Sequence, residues 1–496
     1  MAADGYLMGT VLLLPATSCL LLGVAAAGLR GRTPDFLLRY TGALAAAVVL
    51  GSGLALAAAV LDQGRAVTTL SGQLRADALS AFMLATIGVV GLTATWAGAP
   101  RRPQPAPSPS YAALVVLFLG AMSVAVLADN LGVLWVAVEA TTIATAFLVG
   151  HQRSRLALEA AWKYVVLGSV GVAIAFLGIV LLYAATRSAG VATLSWSTLH
   201  STHPPLDPQL VRLAAALAIL GFATKTGLAP MHSWLPDAHS QAPAPVSGLM
   251  SGVLLSVAFY AILRIQSVAA PVIGVTMMRN MLATAGLLSL AVATLLMIAQ
   301  RDLKRLLAYS SVEHVGVLAL AAAVGGPLAM AAALLHVLGH GLAKATAFVS
   351  AGWVFEAEGT TRLADLRLLL SRRPGIAVPL VAAVTALLGL PPFSLFFSEV
   401  AIVVAGFQRG LGWLMAAMVA LLTGAFVALV RRVAPVVFGH RVEDPDHEDR
   451  EAVDWSAPGA RLPLVLALAL AAVAGLAAGP FTTLLTGAAR VLSVSP

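Results

Sequence analysis

The sequence is poor in charged residues and contains one cysteine. Only 10% of its residues are Asp, Glu, Lys or Arg, compared with roughly 25% in a typical soluble domain. With Cys19 alone, an intrachain disulfide is impossible, and iron–sulfur or zinc sites built on several thiolates are excluded. No basic residue precedes the first apolar run, so we expect that run to be a retained helix and not a cleaved signal peptide.

Recognisable nucleotide-binding and hydrolase motifs are missing as well. The sequence has no Walker loop, no GxGxxG turn after a strand and no serine nucleophile elbow. It also lacks the two-residue alternation of apolar and polar side chains that is typical of an outer-membrane barrel. These absences leave no evident nucleotide or hydrolytic chemistry in the chain.

Apolar residues are abundant and make up 59% of the 496 residues. They form repeated runs of about 18–25 residues, each long enough to cross a bilayer as a helix. The pattern predicts an all-α integral membrane fold with about fourteen transmembrane helices. The predicted spans lie near residues 6–29, 36–61, 77–98, 111–128, 130–150, 160–185, 210–231, 244–267, 279–299, 306–324, 327–354, 375–402, 410–437 and 461–486.

The basic residues between these spans predict the orientation of the chain. Most arginines, including Arg153 and Arg301, fall on one side of the membrane. Because the side richer in Lys and Arg is cytoplasmic, both termini are predicted to lie on the outer side of the inner (cytoplasmic) membrane. The polar stretch His440–Asp454 is predicted to be a solvated loop, and residues 101–110 a flexible connection.

Two predicted spans share the sequence Gly-Leu-x-Pro, at Gly227–Pro230 and at Gly389–Pro392, where Pro391 adds a further proline. Proline removes a helical hydrogen bond and glycine loosens the backbone, so both helices are predicted to be broken. The breaks are an odd number of spans apart, which gives them opposite orientations, as in inverted repeats. The predicted division is an N-terminal three-helix segment (1–110), two inverted five-helix repeats (111–267 and 268–437), and a cytoplasmic loop with a last helix (438–496).

Charged residues inside the spans are the candidate functional residues. The chain has four lysines and 26 arginines, and Lys163, Lys225 and Lys344 fall inside spans, whereas an arginine such as Arg264 is placed at an outer helix end. A desolvated lysine can lose its proton near neutral pH, but an arginine stays protonated. Each buried ion costs at least roughly 2.5–3.5 kcal/mol. These lysines, with Glu139 in the middle of a span, therefore indicate a proton pathway.

These residues are not equally strong candidates for the proton pathway. Lys225 directly precedes the first break and Glu399 directly follows the second. Lys163 lies near the start of its span, where its ammonium group could instead reach the membrane interface.

Histidines extend this set of titratable residues. His336 and His340 precede Lys344 at intervals of four residues, which places the three on one helix face. His314 lies near the cytoplasmic end of the preceding span, beside Glu313, which is predicted to face the cytoplasmic surface. Such groups can relay protons, although each histidine could also be a packing residue. Zinc binding by His336 and His340 would need a third ligand, and none lies nearby in sequence, so no metal site is predicted.

Five segments together resemble the antiporter-like proton-channel family. This family includes the large membrane-arm subunits of respiratory complex I, Mrp-type cation/proton antiporter subunits and membrane subunits of group 4 hydrogenases. The segments are KYVVLGSVG at Lys163, KTGLAPMHSWLPDAH at Lys225, QRDLKRLLAYSSVEHVG at His314, HVLGHGLAKATAFVSAG at Lys344 and LGLPPFSLFFSE at Glu399. The segment PDAHSQAPAPVSGLMSGVLLSVAFYAILR is most similar to component F of hydrogenase-4.

The resemblance implies a role for several positions. Glu139 is similar to the family's glutamate that pairs with, and tunes, the lysine that corresponds to Lys225. Glu399 is similar to the family's terminal residue, and three more positions match its central hydrophilic axis: His314, His340 and Lys344. One position departs from the pattern, because Ser256 stands where many members carry a lysine, and a hydroxyl cannot store a proton at neutral pH.

The resemblance also implies a function. We expect a proton-translocating subunit of a redox-driven complex similar to a group 4 NiFe hydrogenase or formate hydrogenlyase. The alternatives are a complex I M/N-type subunit, an Mrp-type antiporter subunit or, from a different class, a solute transporter. No cofactor is expected in this chain, and the NiFe and iron–sulfur centres are expected in partner subunits. The expected partners are other membrane subunits, a peripheral redox module and the lipid bilayer, with no nucleic acid.

Overall fold

The computed structural model of the chain describes residues 2–28, 35–99, 107–439, 458–477 and 479–492. The predicted loop His440–Asp454 and most of the predicted connection 101–110 lie outside these residues. Twelve helices within the described ranges are long and apolar enough to cross a membrane. This result agrees with the predicted all-α, multi-pass membrane fold.

The described chain contains eleven helices from its first residue to the end of the first predicted repeat. They are α1 Ala2–Gly28, α2 Asp35–Gln63, α3 Ala78–Ala97, α4 Pro109–Leu127, α5 Leu131–Val149, α6 Arg155–Ser188, α7 Trp196–Thr202, α8 Pro208–Thr226, α9 Trp234–Gln241, α10 Ala244–Leu249 and α11 Leu255–Ile273. A π-helical turn, Met250–Leu254, joins α10 to α11.

Nine helices follow in the rest of the described chain. They are α12 Thr276–Ala299, α13 Leu303–Val324, α14 Gly326–Glu358, α15 Leu369–Arg372, α16 Pro374–Leu387, α17 Ser394–Gln408, α18 Gly412–Phe438, α19 Pro458–Leu476 and α20 Gly479–Leu492. Polar side chains cap the free backbone N–H groups at many helix starts, as expected from their residue types. These caps include Asp77, Asn130, Ser154, Asp207 and Asp302.

Two features of the structure differ from the predicted elements. The span 375–402 is divided into α16 and α17 at its predicted break, but the span 461–486 is also divided, into α19 and α20, where a Gly-Pro pair begins the second helix because proline is tolerated in a first turn. A short antiparallel hairpin, β1 Val67–Thr69 with β2 Leu74–Ala76, interrupts the all-α pattern between α2 and α3. The inverted relation of the two repeats stays a prediction.

The most buried helices lie in the middle of the molecule. The apolar stretches of Ala244–Ile273 and of α13 are wholly buried, whereas only 39% of the corresponding stretch of α6 is buried. Exposed side chains on α6 are large and apolar, including Trp162, Leu167 and Phe176. A surface of this kind suits lipid or another membrane subunit better than water. The titratable residues of α13 and α14, Glu313, His314, His336, His340 and Lys344, therefore lie in the protein interior.

Candidate functional site

Both predicted helix breaks are present at the expected glycines. Helix α8 ends at Thr226, and Gly227 follows with φ +82°. Helix α16 ends at Leu387, and Gly389 has φ +63°. This left-handed conformation is open to glycine at little cost, whereas it costs other residues roughly 1–2 kcal/mol. Each break also contains a cis X–Pro bond, at Pro230 and at Pro392.

Lys225 is fully buried in the last turn of α8. Its Nζ donates to Thr142 Oγ1 at 2.8 Å and to the hydroxyl of Tyr164 at 2.5 Å. The same Nζ lies 4.6 Å from the centre of the Tyr164 ring. The helix C-terminus carries a partial negative charge, so the break places the ammonium group where that charge stabilises it.

Glu139 is joined to Lys225 through an intermediate hydroxyl. Thr142 Oγ1 accepts from Lys225 and donates to Glu139 Oε2 at 3.3 Å. Ser169 Oγ donates to Glu139 Oε1 at 2.9 Å. The expected pairing of Glu139 with Lys225 is therefore indirect in this structure, with Thr142 between the two charges.

Lys163 is not part of the buried row, which corrects its placement among the buried lysines. Its side chain is 37% exposed, and its Nζ lies 2.7 Å from Glu159 and 3.4 Å from Asp237. Asp237 also pairs with Arg305 at 3.2 Å. Because α6 begins at Arg155, Lys163 is near enough to the helix end for its ammonium group to reach the polar surface.

Lys344 is the second fully buried lysine. Its Nζ donates to the Leu307 carbonyl at 2.7 Å and to Ser310 Oγ. Both partners belong to α13, so this lysine joins α13 to α14. His340 lies one turn before Lys344 and is also fully buried, with both ring nitrogens unpartnered among the described residues.

Three histidine rings lie together between α13 and α14. The ring centre of His314 is 5.2 Å from that of His336 and 5.0 Å from that of His340. His314 Nδ1 lies 3.2 Å from His336 Nε2. His336 Nδ1 contacts Ser398 Oγ of α17 at 3.0 Å, so the row continues from α14 to the helix that carries Glu399.

Glu399 lies beside the second break, and a second glutamate lies with it. Glu313 and Glu399 both line a small cavity of about 20 Å³. The prediction that Glu313 faces the cytoplasmic surface is wrong, because its side chain is only 5% exposed. Helix α13 packs against α12, α14, α17 and α18, so its sides are covered by other helices at this level.

His239 is a buried residue that the sequence analysis did not single out. Its Nδ1 donates to the Leu235 carbonyl at 2.8 Å, which leaves Nε2 as a free acceptor without a partner among the described residues. The Trp234 ring lies 4.9 Å from Tyr164 and 6.1 Å from His239, and His239 lies 5.9 Å from Phe348. The signal was present in the PDAH sequence, but its burial could not be judged from a short segment between spans.

The location of His239 is relevant to Ser256, the position at which many members of the similar family carry a lysine. Phe348 follows Lys344 by one helical turn and shares its face, so His239 lies between the Lys225 group and α14. Ser256 is buried in α11 directly after the π-helical turn, and its hydroxyl has no partner among the described residues. Of these two residues, only His239 on α9 carries a titratable side chain.

Replacing Gly389 with alanine is expected to displace the Glu399 carboxylate and to reduce proton transfer. An added Cβ would lie 2.6 Å from Glu399 Oε2, in addition to the strain of φ +63°. Gly410→Ala is a matched control, because Gly410 has φ +72° and open space around an added Cβ. Both variants should lose about 1–2 kcal/mol of stability from the backbone, measured by thermal denaturation, but only Gly389→Ala should also impair proton flux. Equal flux in the two variants would contradict a role for the Glu399 position.

Comparison with known proteins places this arrangement in a family. Residues 128–424 match the family described as NADH:quinone oxidoreductase/Mrp antiporter, TM. The chain belongs to this family. The matched segment includes every site residue from Glu139 to Glu399, and this proton-antiporter-like membrane subunit therefore carries its titratable row within the part that defines the family.

Two relatives agree with this assignment, and one solved structure has the same fold. The hydrogenase-4 component F homolog of Methylacidiphilum infernorum (isolate V4) is 39% identical over 333 residues, which are 66% of this chain and 70% of that protein. NADH-quinone oxidoreductase subunit N of Desulforudis audaxviator is 34% identical over 349 residues, 69% of this chain and 68% of that protein. A chain in the structure of the membrane-bound sulfane sulfur reductase, an archaeal respiratory membrane complex, is 24% identical with a TM-score of 0.86 over 97% of each chain. The predicted all-α membrane fold and family resemblance are confirmed.

Proposed function

We propose that the chain translocates protons as one membrane subunit of a redox-driven complex similar to a group 4 NiFe hydrogenase. The observation that carries this proposal is the row of buried titratable groups between the two helix breaks. Lys225 marks one end of the row, two residues before the left-handed Gly227, and Glu399 marks the other, with its carboxylate against the left-handed Gly389. Buried ionisable groups in a membrane protein are costly and mark ion pathways.

In the first part of the row, Lys225 and Glu139 form a coupled pair. Because Thr142 accepts from the lysine and donates to the glutamate, a change in charge at one group changes the stability of the ionised form of the other. A shift of charge near Glu139 would then favour loss or gain of the Lys225 proton. This coupling gives a neighbouring subunit a means to drive proton transfer from outside the chain.

In the middle of the row, His239 is the residue that we assign to the step between the halves. It is neutral in the arrangement observed, with Nδ1 protonated by its bond to Leu235 and Nε2 free to accept. An imidazole with one protonated and one free nitrogen can accept a proton at Nε2 and release one from Nδ1. Water beside the Ser256 hydroxyl would complete this step.

In the last part of the row, protons would pass from Lys344 through the histidines to Glu399. Ser310 contacts Lys344, and His314, His336 and Ser398 make successive contacts. The cavity of about 20 Å³ beside Glu313 and Glu399 has room for about one water molecule. We assign Glu313 and Glu399 jointly to the exit or uptake end of the row.

The redox part of the proposal concerns partner subunits. Among relatives, the hydrogenase-4 component F homolog at 39% identity supports a hydrogenase-type complex, and the NADH-quinone oxidoreductase subunit N at 34% identity supports the complex I alternative equally. We propose that the NiFe and iron–sulfur centres belong to a peripheral module, and that other membrane subunits connect that module to this chain. We place the complex in the cytoplasmic membrane, with both termini of this chain on the outer side.

The test is isolation of the complex through a tagged copy of the full chain. We expect a nickel-containing hydrogenase subunit to co-purify, and vesicles that contain the complex to build an uncoupler-sensitive pH gradient when hydrogen or its redox partner is supplied. NADH oxidation without nickel would assign the chain to a complex I-type assembly instead. Small antiporter subunits and a sodium-dependent pH gradient without redox substrate would assign it to an Mrp-type antiporter.

A further inference from the structure

His314, His336 and Glu399 come from three different helices and meet beside the second break. One ligand atom of each residue lies within 4.8 Å of the others. His314 and His336 are fully buried, and Glu399 is partly buried. The two ligands that accompany His336 are thus supplied by α13 and α17, the neighbours of α14 in space.

The hydrogen bonds around His336 determine which of its nitrogens is free to bind a metal. Ser398 Oγ donates to the Leu395 carbonyl at 2.8 Å, so it accepts from His336 Nδ1 at 3.0 Å. His336 therefore has its proton on Nδ1 and a lone pair on Nε2, which points to His314. Metal-binding histidines are commonly held in this way by a hydrogen bond on their other nitrogen.

The distances fit a tetrahedral site with a small adjustment. His314 Nδ1 and His336 Nε2 are 3.2 Å apart, and two nitrogens bound to one tetrahedral zinc ion are about 3.3–3.4 Å apart. Because all three ligand atoms lie within 4.8 Å of one another, an approach of at most about 1.5 Å by the Glu399 carboxylate completes three protein ligands. The adjoining cavity of about 20 Å³ can hold a water molecule as the fourth ligand.

We propose that His314, His336 and Glu399 bind one divalent transition-metal ion of the zinc type. Two imidazoles with one carboxylate are a ligand set of zinc sites, whereas Na⁺, Mg²⁺ and Ca²⁺ prefer oxygen ligands. On binding, neutral His314 keeps one proton and moves it from Nδ1 to Nε2, and the Glu399 carboxylate binds in its ionised form. The bound metal occupies the lone pairs through which these residues exchange protons. The proposal that a metal binds depends only on this geometry. The proposal that the metal inhibits proton flux also rests on the proposed function.

The binding test uses the purified complex after treatment with a chelator. Equilibrium titration with Zn²⁺, and visible absorption with Co²⁺ as a tetrahedral probe, should show one more bound ion in the wild type than in His336→Ala. Ser398→Ala should weaken this site by about 10–100-fold, the usual effect of losing such a supporting hydrogen bond. The control is His340→Ala, which removes a neighbouring buried histidine outside the ligand set and should leave the stoichiometry unchanged.

Two outcomes would overturn the metal site. One is equal zinc stoichiometry and affinity in the wild type, His336→Ala and Ser398→Ala. The other is loss of the same ion in His340→Ala. If His336→Ala fails to assemble, Glu399→Gln, which keeps the side-chain shape and removes the anionic ligand, replaces it in the comparison.

The inhibition test measures proton flux against Zn²⁺ concentration, with each variant compared with its own flux before zinc. Zinc should block the wild type, and Ser398→Ala should need about 10–100-fold more zinc for the same fractional loss. Zinc binding without any effect on flux would refute the inhibitory role. A wild-type complex that binds zinc but moves no protons would refute the proposed function and leave the metal site standing.

Discussion

Replacing Lys225 with alanine is expected to abolish proton translocation while the complex still assembles. The ammonium group is the only part of the Lys225–Thr142–Glu139 group that can carry a proton as a cation. Removing it leaves Glu139 without a cation on the other side of the Thr142 hydroxyl. The measurement is acidification of vesicles that contain the purified complex, with redox turnover recorded in parallel to show that the partners remain active.

Lys225→Arg distinguishes proton exchange from a fixed positive charge. An arginine keeps the charge beside Thr142 and Tyr164 but does not release its proton in proteins. We therefore expect this variant to assemble and to pump no better than Lys225→Ala. Normal pumping by Lys225→Arg would show that residue 225 provides only a charge.

Lys163→Ala is the matched control for these variants. Lys163 occupies the same half of the chain, but its side chain is 37% exposed and paired with Glu159 and Asp237. Exposed ion pairs contribute little, typically about 0–1 kcal/mol, so pumping and stability should remain near the wild-type values. If Lys163→Ala abolishes pumping as completely as Lys225→Ala, burial is not what separates the pathway residues from the others.

Replacing Arg264 with alanine is expected to cause the largest loss of stability. Its Nη2 lies 2.9 Å from both carboxylate oxygens of Asp77, and its guanidinium lies 3.7 Å from the centre of the Trp196 ring. Burial raises the pKa of Asp77 and the Arg264 charge lowers it, and the net effect is a pKa below the ordinary value. Truncation would leave an ionised carboxylate buried alone, which typically costs 3–5 kcal/mol, measured as a lower denaturation temperature and a lower yield of assembled complex.

Two further variants test whether the unpaired Asp77 carboxylate causes this loss of stability. Arg212→Ala is the control, because Arg212 is exposed on α8 and should change stability by about 0.5 kcal/mol or less. Adding Asp77→Asn to Arg264→Ala should recover part of the loss, because it removes the unpaired charge and keeps a side-chain oxygen to cap α3. The double variant would contradict this explanation if it were less stable than Arg264→Ala.

Arg264 differs from its predicted location. The sequence predicts that it lies at an outer helix end. The structure buries it completely within α11. Its partner Asp77 lies 187 positions earlier in the chain, so no local pattern could reveal the compensating charge.

Features that depend on local chemistry followed directly from the sequence. Apolar runs specified membrane helices because only a helix satisfies its own backbone in lipid. Gly227 and Gly389 marked the two breaks because glycine and proline act on the backbone at their own positions. Lys225, Lys344 and Glu139 were recognisable because a charge within an apolar run is costly wherever the helix packs.

Features that depend on which helices are neighbours were decided only by the tertiary structure. Glu313 and His239 are buried because other helices cover them, and Lys163 is partly exposed because it lies near the start of α6. The approach of His314, His336 and Glu399 requires α13, α14 and α17 to meet. Hydropathy reports the preference of each segment for lipid over water, but it carries no information on which faces of the helices meet. The sequence therefore determined a membrane protein with buried, exchangeable charges, and packing decided which of those charges form one row.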